Sequence, residues 1–490
     1  MEGTREKLFG ELTLWSTGHF PEGDPKQIYF LSGAAGLGKS SIAHQFCARL
    51  DSPERHSLAA SFFFVRGNGD LESTRLFFPT LAYQFATSQP QLQSRIISAA
   101  REYHRRGDRQ QMRHAFEDLV RTPLLDAPIG DQGPIVLVID GLDECKERDM
   151  IPSLLRFLLE LVRTLPWLRV FVTSRPEPHV LGTLTSSEAT TMVHHRNLDD
   201  TVKAWEGDVA RYLKDAIPRI SSYTQFVHEH PEDLEHLINR AGGIFIYARI
   251  AVSFLDMYQH NRPKEQFDLL LSSLGVGVEP LDALYLQVLW SAFPPKHLCA
   301  SSPDHERLRA FLTSITLLLQ PQSPGVIALF WPGMTRDDIV FMIDRLRSVL
   351  LVDAHGIVRP IHATLGEFLL DEARCTDPLY HVDRLKGNGQ FASACFSAFS
   401  FQTMTDCLAV SPAQEETGAI WQYVRYAFVS WNEHLKDAEF SKELLAQLHA
   451  LNSHQVPIRR RGDWSYTASS TLFEIRSLRK WLEVRNTSLS

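Results

Sequence analysis

Between residues 28 and 198, short runs of consecutive apolar residues alternate with longer stretches of helical periodicity. The runs are IYFLS (Ile28–Ser32), ASFFFV (60–65), IVLVID (Ile135–Asp140), RVFVTS (169–174) and, more weakly, MVHHRNL (192–198). Unbroken rather than alternating runs are what strands covered on both faces require, because both sides of the sheet then meet apolar neighbours. Strand and helix in alternation predict an α/β domain built on a doubly wound parallel sheet. A short amphipathic helix to about Leu14 and a Gly/Pro-rich break, HFPEGDP (19–25), precede it.

Beyond Asp200 the strand pattern stops. Helical patterns at 208–213, 231–258 and 281–292 predict an all-helical unit. A different unit follows, with helices at 305–319 and 325–331 and a third capped by Thr335 with Asp338 three residues on. In that third helix Ile339, Met342, Ile343, Leu346 and Leu350 share one face. LLVDAHGIVRPIHA (350–363) reads as strand, turn at His355-Gly356, strand. Three helices and a β-wing predict a winged-helix domain. The remainder is helical in pattern and has no internal repeat. The expected organisation is a lead-in helix and linker at 1–25, a nucleotide-type α/β domain at 26–200, a helical domain at 201–295, a winged-helix domain at 296–378 and a helical region at 379–490.

Composition narrows the classes. With 44% hydrophobic residues the 490-residue chain can bury several cores, which excludes wholesale disorder. Fifty-eight acidic against 50 basic residues give a net charge of −8, the wrong sign for a protein that coats nucleic acid. The third helix of the expected winged-helix domain mixes Arg336, Arg345 and Arg347 with Asp337, Asp338 and Asp344, so DNA is not expected as a partner. No apolar run approaches the roughly 18 residues of a membrane span, and the N-terminus lacks a secretory core, so a cytoplasmic location is expected. Six cysteines without C-x-x-C spacing give no zinc or dithiol motif.

The strongest chemical signal is GAAGLGKS, which fits the G-x-x-x-x-G-K-[ST] phosphate-binding loop and stands between a strand and a helix. Gly33, Ala34, Ala35, Gly36, Leu37, Gly38, Lys39, Ser40 and Ser41 are therefore the candidate nucleotide-binding residues. Backbone N–H groups would turn inward around phosphate oxygens, Lys39 would reach the β- and γ-phosphates, and Ser40 would ligate Mg²⁺. Asp140 closes a buried strand, where an unpartnered carboxylate is costly, and a metal ion removes that cost. Asp143 and Glu144 follow on the loop, placed to orient and deprotonate an attacking water. Arg175 ends another strand, where it could sense the γ-phosphate. The expected cofactors are ATP or ADP with Mg²⁺.

Strands ending in GKS, DGLDE and TSR resemble the NACHT branch of the STAND nucleotide-binding proteins, and closely its fungal members. Gly3-Thr4-Arg5 with Trp15, SFFFVRGNGD (61–70), FFPTLAYQ (77–84), AGGIFIYA (241–248), LDALYLQVL (281–289) and IHATLGEFLLD (361–371) extend the resemblance over most of the chain. Gly242-Gly243-Ile244 lacks the proline that many relatives place against adenine, and Thr364-Leu365 replaces a common Ser-Phe pair. The resemblance implies that His362 contacts the β-phosphate of ADP. It also implies a signalling switch that hydrolyses ATP slowly, closed with ADP and open with ATP for self-association or for other signalling proteins. A nucleotide-binding scaffold that never hydrolyses is the alternative reading.

Overall fold

The computed structural model describes residues 5–19, 26–67, 69–105, 111–125, 133–257, 262–272, 279–298, 302–399, 415–439 and 441–453. Two compact units divide the chain, Met1–Leu284 and Tyr285–Ser490.

In the first unit β1 (Ile28–Ser32), β2 (Leu58–Phe63), β3 (Ile135–Asp140), β4 (Leu168–Ser174) and β5 (Val193–Asn197) form one parallel sheet in the order β2-β3-β4-β1-β5. Alternate residues of β1, β3 and β4 enter different cores. Tyr29, Leu31, Val136, Val138 and Phe171 face α1 (Glu6–Ser16) and α2 (Lys39–Leu50), whose Leu8, Leu12, Trp15, Ile42 and Phe46 are buried against them. Phe30, Leu137, Ile139, Val170 and Val172 face the opposite way, against α3 (Phe77–Ser88) and the helix Ile151–Thr164. This double cover explains the unbroken apolar runs, since each fully buried Leu, Ile or Phe contributes about 1.5–3 kcal/mol of transfer free energy whichever face it takes. The chain thus adopts an α/β P-loop NTPase fold followed by helical domains.

Register fixes where chemistry can occur. Ser32 pairs with Ser174 and Ile139 with Val172, so β1 and β4 end level and β3 one residue earlier, all at the carboxyl edge of the sheet. β2 starts and ends two residues before the apolar run at 60–65. Phe64 remains buried beyond the strand end, so apolarity outlasts the ladder. The pattern at 231–258 is two helices, Pro231–Ala241 and Phe245–Met257. They are separated by Gly242 and Gly243 at φ +54° and +79°, left-handed conformations that stop a helix. The short pattern at 208–213 is the middle of a longer helix, Val202–Ala216.

In the second unit the helices Pro303–Leu317, Pro324–Leu329 and Arg336–Leu346 precede an antiparallel pair, β6 (Leu350–Val352) and β7 (Val358–Pro360). Thr335 and Asp338 form a reciprocal capping box, and Ile339, Met342, Ile343 and Leu346 are buried along one face of the helix they start. The helix Ala363–Leu370 follows, and then Arg384–Ala398, Glu415–Lys436 and Lys442–Ser453. Among the described residues no helix is long and apolar enough to cross a membrane.

Candidate nucleotide-binding site

Gly36 and Gly38, at φ +81° and +85°, turn the chain from β1 into α2. A side chain at Gly36 is excluded twice over, by that backbone conformation and by Ile246, whose Cγ2 would stand 2.4 Å from an added Cβ. The loop is braced from outside by other parts of the same unit. The Ile246 N–H donates to the Gly36 carbonyl at 3.4 Å, and Arg5 Nη2 donates to the Leu37 carbonyl at 2.7 Å. Arg5 is buried at φ +60°, its own N–H donates to Asp208 at 2.9 Å, and its guanidinium lies 5.3 Å from the centre of the Phe245 ring. Burial pushes this guanidinium down to about 10, against the pull of Asp208.

Lys39 Nζ donates to the Gly33 and Ala34 carbonyls at 2.7 and 2.9 Å, inside its own loop. Burial lowers its proton affinity, while Asp143 and Asp140 pull the other way. The Ala34 N–H donates to both carboxylate oxygens of Asp199, just past β5. Ser40 and Ser41 open the first turn of α2 and are exposed.

Asp140 is 3% exposed, and desolvation raises its carboxyl above the usual carboxylate range. The Thr173 hydroxyl donates to it, and the Ser40 hydroxyl nearby also favours the charged form, which counteracts the shift. The two expected metal ligands, Ser40 and Asp140, are therefore neighbours. Gly141 (φ +71°) turns the chain into the acid loop. Asp143 is held on both oxygens by Arg175, through the backbone N–H at 2.9 Å and Nε at 3.1 Å. Glu144 takes the Arg66 backbone N–H on Oε2 at 3.0 Å, and desolvation followed by repulsion from Asp143 and Asp140 raises its carboxyl. The Arg66 guanidinium reaches the Asp143 carbonyl at 3.4 Å.

These residues fit a magnesium nucleotide. A glycine-rich turn between a strand and a helix suits phosphate, and an all-oxygen pair of hydroxyl and carboxylate suits a hard cation. Sequence reasoning did not reach Asp199, Arg66 or Thr173. Asp199 and Arg66 follow strands whose neighbours in space are distant in sequence. Thr173 carries a signal in hindsight, as the residue two before Arg175 on a strand adjacent to that of Asp140.

His362 belongs to the second unit. It caps the helix Ala363–Leu370, its Nδ1 accepting from the Thr364 N–H at 3.3 Å and lying 2.8 Å from the Thr364 hydroxyl. That hydroxyl also meets the Tyr285 hydroxyl at 2.8 Å, so Thr364 has a role of its own.

Residues 3–175 match a family model described as Nephrocystin 3, N-terminal, a span running from the lead-in through the phosphate-binding loop and the acid loop to Arg175. No curated protein matches the chain. Solved structures do overlap it, and two of them illustrate how loosely. One is Drosophila ORC bound to DNA, 14% identical, covering 72% of this chain and 84% of that one with a TM-score of 0.29. The other is Cdc6p from Pyrobaculum aerophilum, 13% identical, covering 76% and 91% with a TM-score of 0.31. Overlaps this loose carry no inference of function. The expectation that DNA is not a partner is nonetheless corrected, because it does not stand beside a similar structure solved with DNA. It rested on net charge and on one mixed-charge helix, and a whole-chain sum does not exclude a local basic surface.

Proposed function

We propose that the chain is a nucleotide-dependent switch of the NACHT type that binds ADP or ATP with Mg²⁺ and hydrolyses ATP slowly. The observation that carries this reading is the meeting of three strand ends at one edge, with Lys39, the neighbouring Ser40 and Asp140, and the Asp143–Arg175 pair in one electrostatic cluster. Lys39 can exchange the Gly33 and Ala34 carbonyls for phosphate oxygens without leaving its loop. Ser40 and Asp140 would hold Mg²⁺, which supplies neutralisation of charge on the phosphate oxygens when bound. Arg175 would respond to a γ-phosphate by loosening its grip on Asp143. ADP and ATP could then favour different states, which is all that a switch requires. The winged-helix identity of the 296–378 segment and the β-phosphate contact of His362 belong to the same proposal and rest on the family resemblance.

One observation favours the non-hydrolysing alternative. Arg175 engages both Asp143 oxygens, and the Arg66 amide engages one oxygen of Glu144. Desolvation raises the Glu144 carboxyl, and the Arg66 amide engages only its Oε2, so Glu144 is the better candidate base. Single-turnover ATP hydrolysis separates the readings. Glu144→Gln should slow hydrolysis by about 100-fold or more while sparing ATP binding. Asp143→Asn should act more weakly, by misplacing Arg175. Equal rates in wild type and Glu144→Gln would favour the scaffold.

A further inference from the structure

We propose that Thr173 is the positioning residue for the metal carboxylate, its hydroxyl deciding which oxygen of Asp140 is held inside the protein. This rests on the reading of Ser40 and Asp140 as Mg²⁺ ligands.

The direction of the bond follows from counting protons. A threonine hydroxyl has one proton to give. The Gly141 N–H donates to Thr173 Oγ1 at 3.1 Å and has nothing to accept with, so Oγ1 is the acceptor there. The hydroxyl proton therefore goes to Asp140 Oδ1, 2.5 Å away. Strand register makes the meeting inevitable: Ile139 pairs with Val172, so the next residue on each strand, Asp140 and Thr173, lies on the same face. Thr173 is fully buried, so no water competes for the bond.

Two consequences follow. An aspartate carboxylate turns freely about its last torsion unless something fixes it. Here one oxygen is fixed, and the carboxylate is presented in a single orientation beside Ser40. The same hydroxyl holds the amide of Gly141, the residue at φ +71° from which the acid loop departs. On its other side Gly141 is confined by the Phe64 carbonyl, 3.0 Å from where a Cβ would stand. One hydroxyl thus ties the metal carboxylate to the start of the loop carrying Asp143 and Glu144. Groups that orient a metal ligand in this way are typically worth about 10- to 100-fold in metal affinity.

Calorimetric titration of the purified chain with ADP, in EDTA and across a Mg²⁺ series, tests the assignment. Thr173→Val keeps the shape and removes the hydroxyl. The Mg²⁺ concentration giving half its full effect on ADP affinity should rise about 10- to 100-fold, while ADP affinity in EDTA stays at the wild-type value. Thr173→Ser should restore the wild-type Mg²⁺ requirement. Because Val leaves the Gly141 amide and Asp140 without their buried partner, Thr173→Cys, with a weaker donor, provides a milder variant that should fall in between. A wild-type Mg²⁺ requirement in the folded Val or Cys variant would overturn the role of Thr173 and leave the nucleotide site standing. Absence of ADP binding by the wild-type chain in both conditions would remove the site itself, and this inference with it.

Discussion

The two compact units bury polar groups in opposite ways. At the carboxyl edge of the sheet in the first unit, Lys39, Asp140, Asp143, Glu144 and Arg175 form a dense cluster of ionisable groups, three of them shifted by desolvation. In the second unit His434, Tyr426 and Asn388 form a buried network without formal charge. The Leu319 N–H donates to the Tyr426 hydroxyl, so that hydroxyl donates to His434 Nε2, and the Nδ1 proton goes to the Asn388 side-chain oxygen at 2.7 Å. Every polar atom of the imidazole is thereby satisfied in one neutral tautomer. Desolvated charges in a cleft cost stability unless a ligand completes them, whereas a closed neutral network specifies a packing arrangement. The first pattern is the one the proposed nucleotide site requires, and the second is that of a core.

The largest effect separating the two patterns should come from Lys39→Ala. A ligand at 100 times its Kd stabilises the folded state by about 2.7 kcal/mol. Wild type should therefore show a higher melting temperature with Mg-ADP or Mg-ATP, and Lys39→Ala should show no shift with either. An equal shift in both proteins would mean that the cluster is not a nucleotide site and would erase the contrast between the units.

The motifs legible in the sequence are those written in local backbone geometry or in strand periodicity. GAAGLGKS announces its own turn because only glycine tolerates φ near +80° at Gly36 and Gly38. The continuous apolar runs announce strands covered on both sides. What was not legible is the choice of partner across the fold. The spacing of Asp143 and Glu144 gives no sign that Arg175 takes the one and the Arg66 amide the other, because β2, β3 and β4 are separated by long helical segments. The His434 network is equally silent: its members stand on two different helices, and the Leu319 N–H joins them from a third segment. At 231–258 the apolar pattern continues on both sides of Gly242-Gly243, so periodicity alone does not show the break between the two helices.

The neutral network should reveal itself through pH. Burial pushes His434 down to about 4 from an unfolded value of 6.5, with Asp437 and Glu433 pulling it back up. The unfolded chain therefore takes up a proton first as pH falls. The contribution of this histidine is complete above 6.5 and is lost progressively towards about 4, below which both states carry the proton. Between pH 7 and 5 the loss is about 2 kcal/mol at 1.36 kcal/mol per unit. Denaturant unfolding followed over that range should show this slope in wild type and lose it in a folded His434→Gln variant. An identical slope in the two proteins would mean that His434 is not held neutral, and that this unit too contains a buried charge.

The smallest effect concerns Asp199, where the phosphate-binding loop donates a backbone amide to an anion supplied by the chain itself. The Ala34 N–H lies 3.2 and 3.1 Å from the two carboxylate oxygens, and the same charge raises the proton affinity of Lys39. A phosphate group approaching the loop meets this carboxylate as a like charge. Asp199 is exposed, so water and salt weaken the repulsion, and its removal should matter only modestly. Asp199→Asn keeps an oxygen to accept from Ala34 and removes the charge. Its ADP affinity should exceed that of wild type about threefold in low salt, as expected for one exposed charge. The two proteins should converge at about 0.5 M salt, where the screening length is only a few ångströms. Calorimetry at the two ionic strengths reads both quantities. Weaker binding by Asp199→Asn at either salt concentration would show that the carboxylate holds the loop in its binding shape. The ionic cluster would then be braced from β5 as firmly as the neutral network is braced by its helices, and the difference between the two units would lie in charge alone.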